Sequence, residues 1–301
     1  MPFIVIEGTY HLVGRNGDGQ EAGFQPDGDS LHFKPANPAL LNRLTRLERP
    51  YRLSRIGSIQ LRFEGIDALE LHFSPGRGRP DTRQPPPLAE QARDFLTGQL
   101  GLNPVPYAPP RNITVKPPVR HDGAPGYILS RSLEVHGRPV SFAFAGPSPA
   151  TDGADVFLTV DWLKRSLNYK LIQSGNAYPL FYETLFVDLR NALAAAARQA
   201  RAGKRGLWGQ DRSQTGVAAS SQGDLEREAV IFPKLFRRLS EYFAQPNGGL
   251  DGFLPWLEAT REQVQDLTTT NFTHFENVVS VQDNMVHLTR LPEQLVFISA
   301  K

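Results

Sequence analysis

Asp67 stands five residues after Arg62, and Glu70 follows three residues later. A second acidic group lies upstream in Asp27-Gly28-Asp29-Ser30, and a second arginine closes His136-Gly137-Arg138 downstream. Residues of these types could carry out phosphoryl chemistry. Two carboxylates can hold a hard cation, a third can polarise a water, and two guanidinium groups can grip a charged phosphate. Such chemistry asks the protein for a cation and positive charge aimed at the phosphate oxygens, together with a placed nucleophile. Each piece taken singly has an ordinary structural use. Asp-Gly occurs five times and suits turns, a strand arginine usually pairs with a neighbouring carboxylate, and Gly-Arg suits a hairpin. The seven histidines show no metal-ligand spacing, and His72 reads as a strand-face residue.

The elements that must position these groups follow from periodicity. Residues 3–14 and 29–34 read as strands around turns rich in Gly and Asp. Residues 58–73 alternate, with Ile59, Leu61 and Phe63 on one face and Gln60, Arg62 and Glu64 on the other. Between them, 35–57 is strongly basic: Arg43, Arg46, Arg49, Arg52 and Arg55 recur every three residues, as a helical stripe or as a solvated connector interrupted by Pro50. A Pro/Gly/Arg loop at 75–87 precedes an amphipathic helix at 88–100 with Leu88, Ala92, Phe95, Leu96 and Leu100 on one side. A short strand is expected at 113–116 and longer ones at 127–135 and 138–145. Helices are expected at 161–175 and 183–204, the second ending at Gly203. Residues 209–223 read as a linker, followed by helices at 224–244 and 252–267 and strands near 276–282, 285–290 and 294–299.

The order of the pieces is more informative than any one of them. Asp27-Gly-Asp29-Ser30, then Arg62…Asp67…Glu70, then Gly137-Arg138, then Asn168-x2-Leu171-x3-Gly175-x-Ala177, then Gly206-Leu207-Trp208 is a succession that resembles the staphylococcal nuclease (thermonuclease) family over residues 10–210. The resemblance implies an α+β fold, a five-stranded OB-type barrel with packed helices, here followed by a smaller mixed α/β C-terminal extension. It implies that Asp29, Asp67 and the backbone carbonyl of Ala68 bind Ca²⁺ or another divalent cation, and that Glu70 activates water. Arg62 and Arg138 would hold the scissile phosphate, and Asp27 and Ser30 would shape the metal loop. Asn168 and Trp208 would be structural. Tyr178, Phe181 and Tyr182 are the aromatics onto which substrate stacking could map, with core packing as their ordinary use. The implied activity is little-selective hydrolysis of DNA, and of RNA as an open alternative, leaving a 5′-hydroxyl and a 3′-phosphate. Leu69 departs from the family's proline between aspartate and glutamate, Ser30 replaces threonine and His136 replaces tyrosine. A catalytically silent nucleic-acid- or protein-binding scaffold of the same fold is the competing expectation.

Composition bounds the rest. A chain of 301 residues with 40% hydrophobic content suits two domains: a nuclease-like domain at 1–210 and, after the linker, an interaction or regulatory module at 224–301. With no cysteine, disulfides, thiolate metal sites and a cysteine nucleophile are excluded. The N-terminus lacks the pattern of a signal peptide and no apolar run reaches membrane-spanning length, so a cytoplasmic protein without membrane contact is expected. The overall charge of +2 is divided unevenly. Residues 216–301 carry 7 basic and 11 acidic side chains, and residues 1–215 carry 26 and 20. A basic front suits a nucleic-acid partner, whereas the acidic tail suits a protein partner or self-association.

Overall fold

The computed structural model describes residues 2–45, 50–246 and 249–299. It divides into two compact units, each assembled from two stretches of chain. The first unit comprises Met1–Glu64 with Arg93–Leu171, and the second comprises Gly65–Ala92 with Ile172–Lys301. No described helix is long and apolar enough to cross a membrane.

A seven-stranded sheet forms the first unit: β1 Phe3–His11, β2 His32–Pro35, β3 Ile59–Gln60, β4 Arg62–Phe63, β5 Ala124–Leu133, β6 Pro139–Ala145 and β7 Asp155–Val156. The spatial order is β3-β2-β1-β5-β6-β4, with β7 also paired to β1. The strands β3 and β4 stand at opposite ends of this order, yet Leu61 alone separates them in the chain. The sheet therefore curls until it nearly closes, forming a barrel-like wall. Backbone bonds Leu61 N to Leu31 O (2.8 Å) and Phe63 N to Asp29 O (3.1 Å) hold the closing segment. Inside lie Phe3, Tyr10, Phe33, Phe63, Phe142 and Phe144. Burying each such ring stabilises the unit by about 2 kcal/mol. β5 and β6 are buried over continuous runs, 126–130 and 141–144, so these strands are covered on both faces.

The second unit carries most of the helices and three small sheets. Strand Ile66–Asp67 pairs with Tyr178–Pro179. A four-stranded sheet runs Phe181–Tyr182, Leu295–Phe297, Gln263–Asp266, Phe272–His274, and a three-stranded one runs Val217–Ala218, Met285–Leu288, Val279–Gln282. Helices Val187–Ala202, Gln222–Glu228, Pro233–Phe243 and Phe253–Ala259 complete it. Tyr178, Phe181, Phe232, Phe236, Phe253 and Phe275 are fully enclosed.

This division differs from the expected boundary at 210 and from a free-standing module at 224–301. The tail shares its sheets with 178–182 because Phe181–Tyr182 has Leu295–Phe297 as its strand partner. The expected linker is likewise part of the packing, with Ser213 and Val217 buried. Smaller differences have local causes. The expected helix 224–244 is two helices, since Pro233 cannot donate and starts a new one. Helix 252–267 stops at Ala259 because Gln263–Asp266 gains a sheet on both edges. In place of a strand at 113–116 there is a single bridge, Tyr107 to Val115, within proline-rich chain. Of the basic stripe, Arg46 and Arg49 lie outside the described residues. Arg43 ends a short 3₁₀ turn, Pro38–Arg43, and pairs with Asp155.

Candidate active site

The barrel unit positions Asp27, Asp29, Ser30, Arg62 and Arg138. The Asp27–Ser30 turn is tight: Asp27 accepts from Gly28 N (2.7 Å), and its own N–H donates to Ser30 O (3.3 Å). This turn leads into β2, and Asp29 O takes the β4 bond that anchors Phe63. Arg62, one residue earlier on β4, donates directly to the Asp29 carboxylate. Ser30 accepts from Gln60 (3.4 Å). Arg138 lies just beyond the turn that joins β5 to β6. Glu134 organises that turn by accepting from His136 N and Arg138 N (3.1 Å each) and from Arg138 Nε (3.2 Å). Each arginine is thus held by a carboxylate of its own unit in a charge-assisted contact.

The second unit positions Asp67, Ala68 and Glu70. Asp67 ends a strand whose partner residue is Tyr178. Asp67 is completely enclosed, and Ala68 is 3% exposed. Glu70 is fixed through its backbone: Glu70 N donates to Gln84 Oε1 (3.2 Å) and Gln84 N donates to Glu70 O (2.9 Å). The carboxylates of Asp67 and Glu70 converge on one guanidinium. Arg237 donates from Nη1 and Nη2 to the two oxygens of Asp67 (3.0 Å each), and from Nη1 to Glu70 Oε1 (2.5 Å). Burial works against the Arg237 charge, but Asp67 and Glu70 outweigh it and keep the group firmly protonated.

Other motif residues have structural explanations. Asn168 is buried and ties three backbone groups together: it accepts from Ala143 N (2.9 Å) and donates to Glu64 O (2.9 Å) and Ser141 O (3.0 Å). Gly175 and Gly206 lie back to back, both at positive φ. A Cβ on Gly175 would stand 2.2 Å from Arg205 O, and one on Gly206 would stand 2.2 Å from Gly175 O. Only glycine permits that approach. Trp208 packs edge-on against Tyr178 (4.9 Å) under the Arg201 guanidinium (4.3 Å). The stacking role for Tyr178 and Phe181 is corrected: both rings are fully enclosed, and Tyr178 donates to Asp211 (2.8 Å). A base needs an open ring face. Tyr182 is partly exposed, but Phe297 and Lys234 share its surroundings.

Asp67 and Glu70 offer the hard oxygens that a calcium ion takes, and they already point at a single positive centre. In donor type they fit the cation; as assembled, Arg237 supplies the positive charge. Among the described residues no three His, Asp or Glu side chains gather as a ready metal-holding group.

Sequence reasoning missed Arg237 and Gln84, which are 167 and 14 residues from Glu70 in the chain. One signal for Arg237 was present: it borders the apolar face of helix Pro233–Phe243. A further polar cluster, also missed, has a fastening role in the barrel unit. Asp122 accepts from Leu12 N (2.6 Å) and pairs with His11 Nδ1 (2.8 Å), whose Nε2 meets Thr9 Oγ1 (2.8 Å). This ties the 122–123 turn to β1. No protein-family model matches this chain, and no curated protein matches it either.

Proposed function

We propose that the chain is a metal-dependent phosphodiesterase, a nuclease that hydrolyses DNA, with RNA as an open alternative, with little regard for base identity, on an OB-type barrel. The observation that carries this reading is the convergence of Asp67 and Glu70 on one cation. Two carboxylates three residues apart have been brought from a strand end and the following loop to a common positive centre. This arrangement suits electrostatic catalysis on a phosphate, where oxygen ligands and a base must sit within reach of each other. A bound calcium ion would supply charge neutralisation at the phosphate. Asp67 would hold that ion, and Asp29 and the Ala68 carbonyl keep the ligand roles that the resemblance gives them. Glu70 would accept a proton from the attacking water as the new P–O bond forms and the P–O5′ bond breaks, and the leaving O5′ would take a proton from solvent to become the 5′-hydroxyl. Arg62 and Arg138 would give their N–H groups to the non-bridging oxygens, which lose no hydrogen bonding as charge develops there.

A second reading is favoured by the same arginine. If Arg237 permanently replaces the cation, the chain is a silent nucleic-acid- or protein-binding scaffold. Incubation of plasmid, single-stranded DNA and RNA with calcium, magnesium or chelator separates the two readings. Metal-dependent cleavage that Glu70→Gln slows by roughly 10²–10⁴-fold supports the nuclease. Binding without cleavage under every metal, in the wild type and in an Arg237→Gln variant, supports the scaffold.

A further inference from the structure

We propose that Arg237 is an internal competitor for the cation: Asp67 and Glu70 hold either the tail guanidinium or a divalent ion, and the segment 222–243 thereby keeps the site switched off. What is switched off rests on the nuclease reading; the competition itself does not.

Three observations in the second unit carry the inference. The first is the shape of the contact. Arg237 makes a two-pronged bond to Asp67 and a third bond to Glu70, so its Nη1 and Nη2 both go to the two carboxylates assigned to metal and water. A planar fork on a carboxylate is the strongest geometry available to arginine. The second is that the helix bearing Arg237 cannot rotate. Lys234 lies 2.5 Å from Glu262, and Arg238 bonds Glu262 (2.9 Å) and Glu241 (2.7 Å). Leu235, Phe236, Leu239 and Tyr242 bury its apolar side. Arg237 flanks that face and meets Asp67 and Glu70. The third is a second tie between the same two segments. Gln84, wholly buried, accepts from Glu70 N and donates to Ala229 O (2.9 Å) and Ile231 O (2.8 Å), just before the helix begins. Nearby, Thr82 donates to Glu226 (2.7 Å). The loop that presents Glu70 and the chain that presents Arg237 are therefore in fixed register.

Charge accounts for the exclusion. One guanidinium cancels half the charge of the two carboxylates and so weakens their attraction for a doubly charged ion, and the ion and the guanidinium need the same oxygens. The helix itself need not move. Its other ion pairs use Glu262 and Glu241, so Arg237 alone can swing away and leave the backbone in place.

Calcium titration calorimetry tests this on the full chain. The folded Arg237→Gln variant should bind calcium about tenfold or more tightly than the wild type, and Arg237→Gln combined with Asp67→Asn should lose that gain. Equal or weaker affinity in folded Arg237→Gln, including no binding at all, overturns the proposal. Should Arg237→Gln not fold, side-chain NMR of the wild type decides instead. The Arg237 guanidinium resonance should shift as calcium or terbium is added, and a resonance that stays fixed while the ion binds, or an ion that does not bind, overturns it. Tighter calcium binding without any cleavage would remove the nuclease reading and leave the competition standing. Cleavage by the wild type with Arg237 undisturbed would do the reverse.

Discussion

Arg237 reaches Asp67 across 170 residues of chain and holds both of its oxygens at 3.0 Å, where the aspartate has no exposed surface at all. A buried pair of this kind is expensive to break from one side, because the surviving charge has neither water nor partner. Arg237→Gln should therefore lose about 3 kcal/mol of stability in chelator. Calcium should restore part of it by binding the folded state alone. Urea denaturation with and without calcium checks both. Midpoints that match the wild type in chelator would mean that Asp67 does not depend on the arginine.

Arg62→Lys and Arg138→Lys keep the charge but lose the planar fork. Both should lower turnover far more than nucleic-acid affinity, because a developing phosphorane-like charge needs several aligned donors. Stopped reactions and fluorescence anisotropy on the same purified variants measure the two quantities. Unchanged turnover with altered affinity would make these arginines ordinary backbone contacts.

Asn168 tests the barrel unit independently of any catalysis. Its amide satisfies Ala143 N, Glu64 O and Ser141 O, all with no solvent at the side chain. Asn168→Leu fills similar space but takes the amide from Ala143 N and Glu64 O, while Ser141 O keeps its bond from Glu64 N (2.9 Å). A loss of about 2–4 kcal/mol is expected in thermal or urea unfolding. A change below about 0.5 kcal/mol would show that water or a backbone shift replaces the amide.

Glu262 gives the pH dependence of the second unit. Burial pushes its carboxyl up, but Lys234 and Arg238 overcome this and hold it at about 2, against an ordinary 4.5. A depressed acid stabilises the folded state above its unfolded value, and the contribution fades as pH falls from about 4.5 toward 2. The loss should amount to about 3 kcal/mol over that window. Glu262→Gln should flatten the slope, as unfolding measured from pH 6 down to 2 would show. An unchanged slope would assign the acid sensitivity to other carboxylates.

The legible parts of this molecule were those specified by local pattern. Alternation of Ile59, Leu61 and Phe63 marked the closing segment of the barrel, and the strands at 127–145 and the helix ending near Gly203 were readable for the same reason. The pairing of Asp29 with Arg62 was within reach too, because turn and strand were both recognised. The partner of Glu70 was not legible. Nothing in Pro233–Phe243 distinguishes Arg237 from Arg238 locally; only the direction of the apolar face does, and that direction is set by what the helix packs on. The enclosure of Tyr178 and Phe181 was hidden likewise, because it depends on Phe232 and Leu295–Phe297 from the tail. Long-range strand pairing also made the tail part of a larger unit, although the composition of 209–223 suggested a break.

The nuclease reading is tested most directly by plasmid cleavage with three proteins: wild type, Arg237→Gln, and Arg237→Gln carrying Glu70→Gln. In calcium the Arg237→Gln protein should nick and linearise plasmid faster than the wild type. Chelator should abolish the reaction, and the added Glu70→Gln change should slow it by roughly 10²–10⁴-fold. Cleavage that is equal in all three proteins, or absent from all of them in calcium and magnesium alike, would contradict it.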